Sequence, residues 1–152
     1  MEKVNDHFLL IKEANTGSFS DYHDHLEANE YSGCEYRFKN LKYIQRTAKV
    51  TPKKNGQFVT LWKRNSSGIT TPFDTKDNFN YVVIICVQGK KMGRFLFPKD
   101  ILIEKKIISN RTQEHSGKRG FRVYPKWDIP KSRQALETQC WQLNYFSPNL
   151  TF

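Results

Sequence analysis

Polar and apolar positions alternate through CEYRFKN (34–40), where charges separate Tyr36 from Phe38, and again around Tyr43 in LKYIQRTAKV (41–50). A period of two predicts two strands, and Lys39-Asn40 between them predicts a tight hairpin turn. YVVIICV (81–87) does not alternate at all: a continuous β-branched run predicts a strand buried on both faces near the centre of a sheet. QFVTLWK (57–63) reads as extended, RFLF (94–97) and FRVYP (121–125) as short strands, and Ile101–Ile108 as a further apolar segment.

Helical spacing occurs at both ends. NDHFLLIK (5–12) predicts a short amphipathic helix with Phe8, Leu9 and Ile11 on its apolar side, stopped by Thr16-Gly17-Ser18. A second helix is expected around Asp21–Glu30. After Pro130, Ser132 is a fitting N-cap for a helix to about Phe146. Its apolar face is drawn through Leu136, Cys140 and Leu143, with Arg133, Gln139 and Gln142 away from it. Turn residues mark 51–56 (TPKKNG), 64–78, Gly89–Gly93 and Ser109–Gly120 as loops. The order predicts one α/β domain over 1–152: a central mixed sheet flanked by helices.

Charge changes the picture. The chain has 25 Lys+Arg against 15 Asp+Glu, a net +10 over 152 residues. Residues 1–35 hold eight acids and two bases, so the chain opens on an acidic leader of about 1–26, while residues 36–152 are +16. Such a body suits a polyanionic partner, and the leader could partly neutralise the basic face in the free protein. No apolar run is long enough for a membrane span, and MEKVNDHF lacks the layout of a secretory signal. Cys34, Cys86 and Cys140 are odd in number and about 50 residues apart, so neither a zinc site nor a disulfide framework is expected. Reduced thiols point to the cytoplasm.

Within 46–64, Arg46, Lys49, Lys53, Lys54, Lys63 and Arg64 are interleaved with Gln57, Phe58 and Trp62. Cations meet phosphates, and exposed rings stack on unpaired bases. Phe58 is assigned to the core, and Trp62 stands between core and stacking roles. Lys118, Arg119, Arg122 and Lys126 extend the basic set, with a carboxylate partner for Arg122, Glu35 or Glu137, as the structural alternative. On the last helix Thr138, Trp141 and Gln142 share one flank, which could stack on or read a base, or pack on the sheet. His23 and His25 beside Asp21 and Asp24 are expected to be part of an acidic loop rather than a metal site. The expected partner is single-stranded RNA or DNA, bound with little sequence preference, with no cofactor and no membrane; a protein-interaction module is the weaker reading.

The block RTAKVTPKKNGQFVTLWKR (46–64) resembles the signature of the MepB family. FNYVVIICV (79–87), GRFLFPKDIL (93–102), GKRGFRVYPKWD (117–128) and ALETQCWQLNYF (135–146) are similar to it in the same order, over about residues 27–146. The resemblance implies a restriction-endonuclease-like fold, related to PD-(D/E)-x-K enzymes whose two acids and lysine work with Mg²⁺ around a hairpin. The nearest pattern here is Glu35, then Thr47-Ala48-Lys49, with Glu30 upstream. Thr47 stands where the second carboxylate would be, and a neutral hydroxyl cannot replace a charged ligand. The implied function is therefore a nucleic-acid binder on a nuclease-like scaffold. A Mg²⁺-dependent nuclease using Glu30, Glu35 and Lys49, with an acid such as Asp77 brought in by the fold, is the alternative.

Overall fold

A computed structural model describes residues 5–113 and 115–152; Glu2 and Lys3 of the acidic leader lie outside them. In chain order the elements are α1 (Asp6–Ala14), β1 (Phe19–Asp24), a 3-10 helix (Leu26–Tyr31), β2 (Cys34–Phe38), β3 (Leu41–Thr47), β4 (Lys49–Val50), β5 (Gln57–Thr60), β6 (Trp62–Arg64), β7 (Thr70–Pro72), β8 (Tyr81–Gln88), β9 (Lys91–Pro98), α2 (Lys99–Glu104), β10 (Gly120–Val123), α3 (Arg133–Gln142) and β11 (Phe146–Ser147). The architecture is the expected mixed one. A main sheet runs β1-β2-β3-β8-β9-β11, a small sheet β10-β5-β4, and β6-β7 form a ribbon. Only β3 and β8 pair in parallel within the main sheet. Among the described residues no helix is long and apolar enough to cross a membrane.

The hairpin forms where the alternation places it. Lys39 and Asn40 both have positive φ, 50° and 65°, as a two-residue turn matched to strand twist requires. β8 sits inside the main sheet, with Val82 to Cys86 fully buried. Because opposite residues share a face, the register sorts the side chains into two cores. Tyr36, Phe38, Tyr43, Val83 and Ile85 lie on one face under Phe8 and Ile11 of α1. The C-terminus closes this side: Phe152 stacks on Tyr43 with centroids 4.7 Å apart, and its N–H donates to Asn15 Oδ1 at 2.8 Å. Ile44, Val82, Ile84, Cys86, Phe95 and Phe97 lie on the other face, packed against Val59 and Leu61 of the β5 segment and Phe121 and Val123 of β10. A ring as large as Phe contributes about 1.5–3 kcal/mol when fully buried.

Several segments depart from the sequence reading: β9 starts at Lys91, inside the expected Gly89–Gly93 loop, and the last helix ends at Gln142, leaving Phe146 to β11. Asp21–Glu30 is not a helix: its first part is the edge strand β1, whose Phe19 and Tyr22 reach the first core, and only Leu26–Tyr31 coils, as a 3-10 helix. The 64–78 loop contains β7, paired with β6.

Candidate nucleic-acid interface

Side-chain parity decides which cations of the basic block are available. Arg46 faces inward on β3 and is 0% exposed. Its Nη1 donates to the Gln45 carbonyl at 2.9 Å, while Nε and Nη2 are buried with no partner. Burial pulls its pKa down to about 10. Gly33 makes room for it: a Cβ there would come within 2.9 Å of Nη1 and 2.6 Å of the Ala28 methyl. Gln57, also 0% exposed, points inward from β5 with neither end of its amide paired. Neither residue can meet a phosphate, so both leave the predicted site. Phe58 makes the reverse move: expected in the core, it belongs to neither core and lies on the outer face of the small sheet.

The nuclease-like constellation does not assemble. Glu35 accepts hydrogen bonds from His25 Nε2 and Lys42 Nζ, each at 2.8 Å. The His25 bond, aided by Lys42 and opposed by burial, lowers its pKa to about 2. Glu35 shares the second-core face with its register partner Ile44. Thr47 lies an odd number of residues along β3, on the opposite face, where its Oγ1 is 2.7 Å from His7 Nδ1 of α1. Glu30 and Lys49 do meet, at 3.9 Å, but on the exposed surface. Asp77 is tied to Lys63 at 2.6 Å. Among the described residues no group of three or more His, Cys, Asp or Glu is placed to hold a metal, and the implied Mg²⁺ does not fit this set. His23 is exposed on β1, apart from the His25–Glu35 pair.

The remaining predicted cations occupy different places. Lys53 and Lys54 are exposed in the 51–56 turn, and Lys126 is exposed beyond β10. Lys63 is engaged by Asp77 and, at 3.6 Å, by Asp74. Arg64 lies over the Trp62 ring, 5.4 Å from its centroid, in a groove of about 480 Å³ that also holds Glu27 and Glu30. Arg119 donates to the Thr70 carbonyl at 2.9 Å. Arg122 pairs with neither Glu35 nor Glu137: its Nη2 donates to Thr51 Oγ1 at 2.6 Å and Nη1 to the Asn55 carbonyl at 3.1 Å.

A second cleft unites Arg122 with the flank of the last helix. Ser132 caps α3 as expected, its Oγ accepting from the Ala135 N–H at 3.1 Å. The helix then docks through the residues expected to face away. Gln142 presents its amide to β10 as a strand would: Oε1 accepts from the Tyr124 N–H and Nε2 donates to the Arg122 carbonyl, both at 2.9 Å. Gln139 Nε2 donates to the carbonyls of Pro125 at 3.1 Å and Asp128 at 2.9 Å. Leu136 is left 57% exposed, and Cys140 is exposed too. Between α3 and β10 opens a cleft of about 350 Å³ whose cations are Lys105, Lys118 and Arg122. None of the described residues lining it is acidic. Thr138, Trp141 and Gln142 line it together; Trp141 packs on Phe97 at 5.6 Å, with Lys105 Nζ 5.5 Å from its ring centroid. Sequence reasoning missed Lys105, which stands just past α2 and far from any basic block.

Comparison with known proteins agrees on kinship. The MepB-like family model matches residues 25–148. The crystal structure of MepB is 36% identical, with 97% of each chain covered and a TM-score of 0.83. No curated protein matches the chain.

Proposed function

Since the chain belongs to the MepB-like family and the match spans the whole cleft, we propose that it is a nucleic-acid-binding protein that holds single-stranded RNA or DNA there. One observation carries the reading: three cations line one cleft whose described residues include no carboxylate. A cleft lined by three cations attracts phosphate even with the exposed Glu104 carboxylate 3.9 Å from Lys105 Nζ, and a half-buried tryptophan gives a base a surface to lie against. Backbone charge and stacking discriminate little between sequences. The reading includes no cleavage step, because Glu35 and Thr47 diverge to opposite sheet faces. The scaffold is read as restriction-endonuclease-like, supported by a β2–β3 hairpin whose second strand runs parallel to β8. The three free thiols fit a cytoplasmic setting.

The test is fluorescence anisotropy of a labelled single strand with Mg²⁺ present, across a salt series. Affinity should fall steeply as salt rises, with the strand left intact. Reversing charge at Lys105 and Lys118 together should flatten the salt slope by about 2 and weaken binding at least about tenfold. Equal binding by wild type and the double variant would remove the cleft from the interface.

A further inference from the structure

We propose that the outer face of the small sheet is a stacking platform for one unpaired base, with the Phe58 ring as its surface and Arg122 and Lys49 as phosphate contacts on either side. This rests on the nucleic-acid reading and names a second site for the same strand. Opposite residues of paired strands share a face. Phe58 is opposite Arg122 on one side and Lys49 on the other, so the three form a row across the sheet. Adjacent strands are about 4.8 Å apart, so the backbone positions of the two cationic residues stand about one strand spacing from that of Phe58 on either side.

The ring has no task in either core. It is half-buried, and no core cluster includes it. It lies down over Gly120, where an added Cβ would come within 2.5 Å of its Cζ. Glycine thus lets the tip of the ring reach across to the neighbouring strand, where any Cβ would block it. Tyr31 stands at 71° to it, with 6.4 Å between centroids, so the two rings form walls and not a stack. Arg122 is held by Thr51 and Asn55, which fixes its position and leaves further N–H donors for a phosphate oxygen. Lys49 Nζ lies 4.8 Å from the centroid of the Tyr31 ring and 3.9 Å from the Glu30 carboxylate, on a residue 83% exposed at its side chain. A backbone phosphate can take the place of that carboxylate.

The experiment compares wild type, Phe58→Leu and Phe58→Tyr with two labelled probes: a short oligothymidine strand and an abasic strand of equal length. Phe58→Leu should weaken oligothymidine binding about tenfold and leave abasic binding unchanged, and Phe58→Tyr should restore the loss. Circular dichroism melts confirm that both variants fold. If Phe58→Leu binds oligothymidine as wild type does, or loses both probes equally, the platform is overturned while the cleft reading stands. If wild type binds neither probe, both fall together.

Discussion

The inner face of β3 and the outer face of β10 each carry one arginine, and the two have opposite fates. Arg46 is enclosed between the main sheet and the 3-10 helix, with two guanidinium nitrogens unpartnered. Arg122 is half-exposed, held by a hydroxyl and a carbonyl, and borders the basic cleft. Both come from basic stretches that look equivalent in sequence. What separates them is parity along a strand: Arg46 falls in step with Ile44, whereas Arg122 falls out of step with Phe121 and Val123. An inward arginine adds a desolvation cost, and an outward one supplies a binding group.

The comparison can be broken most severely at the clamp on β10. Gln142→Leu leaves the Tyr124 N–H and the Arg122 carbonyl without partners. Denaturant unfolding should show a loss of about 2–6 kcal/mol, at roughly 1–3 kcal/mol per orphaned group. A loss under about 1 kcal/mol would mean that the clamp is incidental. Next, the two arginines can be set against each other. Arg46→Met keeps volume and removes a buried charge; it should raise stability by about 1–3 kcal/mol and leave strand affinity unchanged. Arg122→Met should cost about 1 kcal/mol of stability and lower the salt slope of binding by about 1. Equal loss of affinity in both variants would erase the distinction. The last effect, seen only at low pH, concerns the acid beside Arg46. Glu35 titrates at about 2 when folded, against 4.5 unperturbed. Its contribution is therefore present above about pH 4.5 and lost as pH falls toward 2. After solvent screening it amounts to about 1–2 kcal/mol. Unfolding free energies for wild type and Glu35→Gln should converge over that window; curves that stay parallel would contradict the assignment.

The sheet was legible because backbone chemistry and burial pointed the same way. Lys39-Asn40 accepts positive φ, and the unbroken YVVIICV run fits only a strand covered on both faces. The last helix was legible in its start, capped by Ser132, but not in its orientation. Its Leu136–Cys140 stripe is a conventional apolar face, yet the surface it meets is a strand edge with free peptide groups, which amides satisfy and leucine does not. The candidate site was half legible. Charge density pointed to Lys118 and Arg122 and helical spacing to the Thr138–Trp141 flank, all of which line the cleft, but assigning Gln57 outward and Phe58 inward was a one-residue slip that inverts a strand. β1 escaped notice because its few apolar residues sit in an acidic run.

Gln142 has one more consequence. A strand with open peptide groups along one side can recruit a strand from another molecule and so seed a growing sheet. On β10 a single side chain occupies the position that such a visitor would need. The amide therefore caps a sheet edge as well as anchoring a helix: a visiting strand could pair there only after displacing it.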